Sequence, residues 1–335
     1  MSLVDGNVLM NMTPDSETLL RRLHTVMLTI RRVEEKTAEL IALGEIRCPT
    51  HLYIGQEAIA AGVCANLRRD DWVYSNHRNH GHYLAKGGDL KVLMAEFLGK
   101  ATGCSKGRGG SMHVAMPSVG LPGTSVIVGG SIPLAVGTAL AFSLQGKDCV
   151  TVVFFGEGAV NEGVWHESLN FASLRALPVV FVCENNLYST HMPISSCLAD
   201  TRIYKKADSY GMPGVRIAGN DVLEVFECSR EAVSRARRGG GPTLIECMTY
   251  RWRGHVGPNY DLDKALRSKE ELDYWMERCP IKAVEEYLLH QGFMSESDLA
   301  AVLSAVESHV EEAVAFARSS PFPDDSEVTA NVFKA

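Results

Sequence analysis

No apolar run in the 335 residues approaches the ~18 needed to cross a bilayer. Lysine and arginine form no block beyond pairs such as Arg237 and Arg238, and the formal net charge is −7, so neither nucleic acid nor an anionic membrane surface is an expected partner. The nine cysteines never take a C-x-x-C spacing. Cys64, Cys149, Cys183 and Cys247 lie inside apolar runs, which favours reduced, buried thiols over disulfides or a zinc cluster. The first 18 residues hold Asp5, Asp15 and Glu17 but no lysine or arginine, so no secretory signal or arginine-rich transit peptide is expected. Internal repeats and low-complexity tracts are missing too. With 46% hydrophobic and 22% charged residues, these exclusions leave a globular protein, cytoplasmic by default, with room for one large core or two modest ones.

What is present is strongly periodic. Residues 16–43 place Leu19, Leu20, Leu23, Val26, Met27, Ile30 and Val33 at helical spacing, with Gly44 available to end the helix. Further helices are expected near 56–66 and 89–99. Between 100 and 130 runs the glycine-rich stretch GCSKGRGGSMHVAMPSVGLPGTSVIVGG, and irregular segments of this length in a compact domain are usually functional. Alternation follows: helix 131–145, strand 149–155, helix 161–175, strand 178–184, helix near 200–211, strand 214–218, helix 221–238 and strand 243–250. Residues 268–320 read as helices. Continuous apolar strands separated by helices define an α/β fold, a parallel sheet covered by helices on both faces.

In such a sheet ligands bind beyond the carboxyl ends of the strands. GEG (156–158) and ENNLY (184–188) both fall directly after strands. Taken singly, G-E-G reads as a tight turn with a solvated glutamate, and Asn-Asn as turn chemistry. The 29 residues between Glu157 and Asn186 make one strand–helix–strand step, which sets the two at neighbouring strand ends. Gly156 and Gly158 allow close backbone approach, and the following helix aims its N-terminal N–H groups at the same spot, an arrangement suited to phosphate. Glu157 and the Asn186 amide oxygen are hard donors of the kind magnesium or calcium prefers.

The run GEGAVNEGVWHESLNFASLRALPVVFVCENNLY resembles the thiamine diphosphate motif of the α subunits of 2-oxo acid and acetoin dehydrogenase E1 components. The resemblance extends in order through HLYIGQEAIAAGV (51–63), HRNHGHYLAKG (77–87), GCSKGRGGSMH (103–113), VIVGGSIPLAVGTALA (126–141) and PTLIECMTYRWRGH (242–255), covering about residues 20–320. It implies the thiamine diphosphate-binding fold with helical N- and C-terminal extensions. The division is an N-terminal tail 1–18, a single domain 19–320 and a C-terminal tail 321–335. Within the domain a helical part 19–100 leads to the cofactor loops and sheet at 101–255 and the closing helices at 266–320.

The resemblance also implies roles. Glu157, Asn186 and the Tyr188 carbonyl coordinate Mg2+, or Ca2+. Gly158 and Ala159 offer backbone to the diphosphate, and Arg78 pairs with it. His77 stands where relatives often carry tyrosine. The backbone of Val126 and Val128 holds the aminopyrimidine ring. His255 and His51 lie near the reacting carbon as proton carriers or oxyanion donors, with His80 in the same wall. The activity implied is cleavage of a carbon–carbon bond beside a ketone, a 2-oxo acid or acetoin, with transfer of the fragment to a lipoyl carrier protein. A glutamate against the far nitrogen of the aminopyrimidine comes from a β subunit, which implies an α2β2 heterotetramer. Two other readings stay open: a transketolase-like, ketol-transferring subunit, and a cofactor-binding subunit without catalysis. A self-sufficient homodimer using Glu57 as the missing acid is the alternative to the heterotetramer. Two departures stand out: Glu157 where the motif has aspartate, and VGPNYDLDKALRSKEELDYW after His255, which lacks the serine of kinase-regulated members and makes phosphorylation there unexpected.

Overall fold

The structure, a computed structural model, describes residues 14–262 and 266–330. Residues 1–13 and 331–335 of the expected tails, and Asp263, Lys264 and Ala265 of the segment past His255, lie outside the described residues. Among the described residues seven strands occur in chain order: β1 (Trp72–Tyr74), β2 (Thr151–Gly156), β3 (Val179–Asn185), β4 (Tyr188–Ser189), β5 (Met192–Pro193), β6 (Gly214–Ala218) and β7 (Thr243–Met248). Five of them form one parallel sheet in the order β1-β2-β3-β7-β6, while β4 and β5 pair as a small antiparallel hairpin.

The helices are α1 (Pro14–Ala42), α2 (Glu57–Cys64), α3 (His80–Ala85), α4 (Leu90–Phe97), α5 (Ser131–Leu144), α6 (Gly163–Leu174), α7 (Ile194–Cys197), α8 (Val222–Arg237), α9 (Lys269–Glu277), α10 (Pro280–His290) and α11 (Glu296–Ser319). Apolar residues at every position of the central strands explain the layering, because alternate side chains go to opposite faces. Val152, Phe154, Val180 and Val182 pack with Ile59, Val63 and Val225 from α2 and α8. Val153, Phe155, Phe181 and Cys183 pack with Ile132, Ala135, Trp165 and Leu169 from α5 and α6. A third cluster joins α1, α10 and α11 through Leu23, Met27, Val284, Leu288 and Val306. Starts are capped locally: Asp89 and Asp221 accept N–H groups of α4 and α8, and Ser295 and Asp298 close a capping box on α11. Gly44 follows α1 at φ +74°, a left-handed position that suits glycine. Among the described residues, no helix is long and apolar enough to cross a membrane.

The expected helix near 200–211 is instead a 3-10 segment, Ile203–Tyr210. Ile203 and Ala207 are buried at helical spacing, but the run is short and stops at Gly211 with φ +65°, which suits a connector. Strand β1, three residues long, is an element the periodicity does not show.

The register places the ligand edge. Gly156 lies beside Glu184, and Glu184 beside Cys247, so β2, β3 and β7 deliver Glu157, Asn186 and the loop to His255 to one carboxyl edge.

Candidate active site

Glu157 opens a 3-10 turn directly after β2 and is only 3% exposed. Its Oε2 accepts the backbone N–H of Asn186 at 3.0 Å, and the carboxylate also accepts from its own backbone N–H. The side chain thus folds back, which absorbs the extra methylene. Burial pushes its pKa up, opposed by these hydrogen bonds and by the guanidiniums of Arg251 and Arg78. A Cβ built on Gly158 would lie 2.4 Å from Ser189 Oγ on the β4–β5 hairpin, so a side chain here would displace that hydroxyl from its present position. Ala159 is buried in the same turn. Asn186 Oδ1 accepts from Arg251 Nε at 3.1 Å, and Arg251 also donates to the Thr190 carbonyl at 2.8 Å. The Tyr188 hydroxyl donates to Glu271 Oε2 at 2.8 Å, which turns the ring toward α9 and leaves the backbone as what this residue offers the edge.

Arg78 is buried and donates to the carbonyls of Leu52 at 2.6 Å and His255 at 3.1 Å. Burial lowers it to about 10, against the attraction of Glu34, Glu184 and Glu157. Burial, reinforced by Arg78 and Arg267, lowers Arg251 to about 9. Buried cations that destabilise one another make a natural seat for a polyanion.

Three histidines converge from distant segments: His51 ahead of α2, His77 after β1 and His255 after β7. Ring centroids are 4.5 Å apart for His51 and His77, 4.9 Å for His51 and His255, and 5.4 Å for His77 and His255. Burial, followed by the Arg78 charge, lowers their pKa values to about 3, 2 and 3 for His51, His77 and His255. All three are therefore neutral at physiological pH. Asp261 Oδ2 accepts the His255 N–H at 2.9 Å, and a Cβ on Gly254 would meet that carboxylate at 2.5 Å. Val126 and Val128 sit on the loop before α5. Ser125 N donates to the Ser75 carbonyl at 3.2 Å and thereby docks this loop two residues from His77. Val128 is 50% exposed.

His80 is not brought to this cluster. It opens α3, fully buried, with Nδ1 2.9 Å from Glu34 Oε1 and Nε2 2.8 Å from Ser111 Oγ. Both ring nitrogens have partners within the fold, and the structure places His80 apart from the three histidines.

Residues 25–326 match the dehydrogenase E1 component family. The chain belongs to that family. It is 45% identical over 307 residues to the α subunit of acetoin:2,6-dichlorophenolindophenol oxidoreductase of Bacillus subtilis (strain 168), covering 92% of this chain and 91% of that one. It is 42% identical to the chloroplastic pyruvate dehydrogenase E1 component subunit alpha-3 of Oryza sativa subsp. japonica, over 93% of this chain and 75% of the relative. With the pyruvate dehydrogenase E1 component subunit alpha of Porphyra purpurea it shares 40% identity, over 93% and 92% of the two chains. It is thus an α subunit of an E1-type oxidoreductase, a family that works with thiamine diphosphate. The residues fit that cofactor: beside the buried Glu157 and the close Gly158 turn, Arg251 Nη1 and His51 Nδ1 are buried without a hydrogen-bond partner.

Several residues that build this E1 site carry no conspicuous sequence signal. Arg251 lies in the block RWRGH but is marked only by its nearness to His255. Glu96, fully buried in α4, accepts backbone N–H groups from Ser105 (2.7 Å), Gly107 (2.9 Å), Gly109 (2.7 Å) and Gly110 (3.0 Å), and so organises the glycine-rich loop. A lone carboxylate in the apolar stretch LMAEFLG, a few residues before a run of glycines, is the only hint of this. Glu184 accepts from the Tyr53 hydroxyl and lies 3.0 Å from His82 Nε2, with the His82 ring stacked on Phe154.

Proposed function

We propose that this chain is the α half of a two-component enzyme that cleaves a small ketone, acetoin or a short 2-oxo acid, and hands the fragment to a lipoyl-bearing protein. The observation that carries the two-component reading is Glu57. It is fully buried and paired with Arg31 Nε at 2.6 Å, and the Gly55 N–H donates to both of its carboxylate oxygens at 3.1 Å. Arg31 in turn lies over the Trp252 ring at 4.0 Å. A carboxylate so engaged is not available to a cofactor ring, which removes the acid a self-sufficient homodimer would use and supports an acid supplied by another subunit. The assembly this favours is an α2β2 heterotetramer with the cofactor between α and β.

Thiamine diphosphate supplies a carbanion and an electron sink for breaking the bond beside the ketone. The roles proposed for this chain are placement and proton handling. Glu157, the Asn186 amide oxygen and the Tyr188 carbonyl hold Mg2+ or Ca2+, the oxygen donors such ions prefer. Arg78, with the backbone of Gly158 and Ala159, takes the diphosphate. The backbone at Val126 and Val128 faces the aminopyrimidine. His51 and His255, neutral and adjacent, accept or donate a proton at the reacting carbon, with His77 beside them.

The test is reconstitution. The purified chain alone should turn over neither acetoin nor pyruvate with an artificial electron acceptor, and adding the cognate β subunit should restore activity. A preparation shown by mass spectrometry to contain only this polypeptide, yet active at the rate of the complex, would defeat the proposal.

A further inference from the structure

We propose that His51, His77 and His255 form a binding site for a first-row transition metal such as zinc. The ligand nitrogens of the three residues all lie within 4.8 Å of one another, and no other such group of three occurs among the described residues. Three imidazoles with an open fourth position are a zinc donor set, in which metal–nitrogen distances of about 2.0–2.1 Å place the nitrogens roughly 3.4 Å apart. Closing from the present spacing takes a shift of each nitrogen by roughly an ångström. A second observation points the same way: His51, 8% exposed, has its Nδ1 buried with no hydrogen-bond partner, so no other group fixes the orientation of that ring through this atom.

The chemistry separates this site from the oxygen donors at Glu157. Imidazole suits zinc, copper and nickel, whereas magnesium and calcium favour carboxylate and carbonyl oxygen. Burial already keeps the three rings uncharged, so binding near neutral pH displaces no proton from them. Arg78 and Arg251 act in the opposite sense, since both guanidiniums interact with the cluster and repel a dication. The affinity is therefore lower than the same three ligands would give in neutral surroundings. The inference goes beyond the ketone-cleaving reading and does not depend on it, because it concerns metal binding by the chain alone.

The experiment uses the full chain, stripped with a chelator and titrated with Co2+ as a spectroscopic stand-in for zinc. We expect one Co2+ per chain, visible d–d absorption typical of low coordination number, and loss of that absorption on adding Zn2+. His77→Phe and His255→Phe should each weaken binding at least about tenfold, with folding checked by circular dichroism; His77→Asn replaces the phenylalanine variant if that one does not fold. His166→Phe, at an exposed position whose ring contacts Tyr210, should bind like the parent. Because the cysteines are free, a thiolate-to-cobalt charge-transfer band would place the metal elsewhere and overturn the proposal. So would an unchanged d–d spectrum in folded His77→Phe, or a folded parent chain that binds no Co2+.

Discussion

The two halves of the site are held by different means. At the strand ends, Glu157 and Asn186 follow β2 and β3, and the sheet ladder sets where the chain stops, with Gly156 in register beside Glu184. The histidine half is built from irregular segments, and there buried carboxylates take the place of the ladder. Glu34 accepts the Tyr53 N–H at 2.9 Å and holds His80, Glu96 gathers four N–H groups of the glycine-rich loop, Glu184 holds Tyr53 and His82, and Asp261 holds the His255 N–H. A ladder bond survives most side-chain substitutions, because both partners are backbone. A loop pinned by one carboxylate depends on one residue. The two halves should therefore respond oppositely to mutation: the loop half loses its structure, and the strand-end half keeps its structure but loses its ligand.

The largest effect is expected at Glu96. Glutamine keeps one acceptor oxygen and presents an NH2 group to two of the four backbone donors, in a site with no solvent to repair the mismatch. With charge-assisted bonds worth about 1.5–3 kcal/mol each and a penalty for every stranded donor, Glu96→Gln should destabilise by about 3 kcal/mol or more. Denaturant unfolding measures the loss, and hydrogen exchange locates it at residues 103–113. Unchanged exchange across that loop would show that the carboxylate does not organise it.

Next comes the contrasting case, Glu157. Its removal leaves the strand ends in place, so the unfolding midpoint of the cofactor-free chain should change little, while magnesium-dependent affinity for thiamine diphosphate should fall roughly hundredfold, about 2.7 kcal/mol. Glu157→Asp should stay within about tenfold of the parent, since it keeps the carboxylate that bonds the Asn186 N–H at 3.0 Å. Calorimetry with and without magnesium reads both. An alanine variant with the parent's magnesium dependence would remove Glu157 from the metal site.

This division also explains what could be read from the sequence. Glu157 and Asn186 were legible together because 29 residues span one strand–helix–strand unit, a local pattern that periodicity reveals. Strand 214–218 and the helix from 131 stand where hydrophobic pattern and glycine breaks put them. His51, His77 and His255 span more than two hundred residues, and no periodicity can show that they meet; only family resemblance brought them together. The same resemblance sets His80, three residues from His77, in the same wall, and the structure places its ring apart from the cluster. His77 lies in the turn after β1, whereas His80 is the first residue of α3, and that turn of helix swings its ring to Glu34 on α1. Glu96, a single carboxylate within the apolar helix α4, and Glu34, one of several charges in the run RRVEEK, both look like solvated positions until their backbone donors, distant or in an irregular loop, are in place.

The smallest expected effect separates the halves by pH. The three histidines have folded-state pKa values of about 3, 2 and 3, below the ordinary value of 6.5. Between these values and 6.5 the unfolded chain binds more protons than the folded one, so their neutral forms contribute stability that is present above pH 6.5 and lost as pH falls toward 3. The ceiling is about 1.4 kcal/mol per pH unit for each ring, and His77 and His255 are partly open to solvent, so we expect about 1 kcal/mol of total loss from pH 6.5 to 5.5. A single melt sums over every titrating group of the chain, so it does not isolate the histidines. The difference between parent and His77→Asn does, because only one of the three rings is removed. Measured in chelator, the variant should show a shallower fall in stability over this pH interval than the parent. Parallel curves would mean that His77 is protonated in the folded chain at pH 5.5, and that burial at this half of the site is weaker than its geometry indicates.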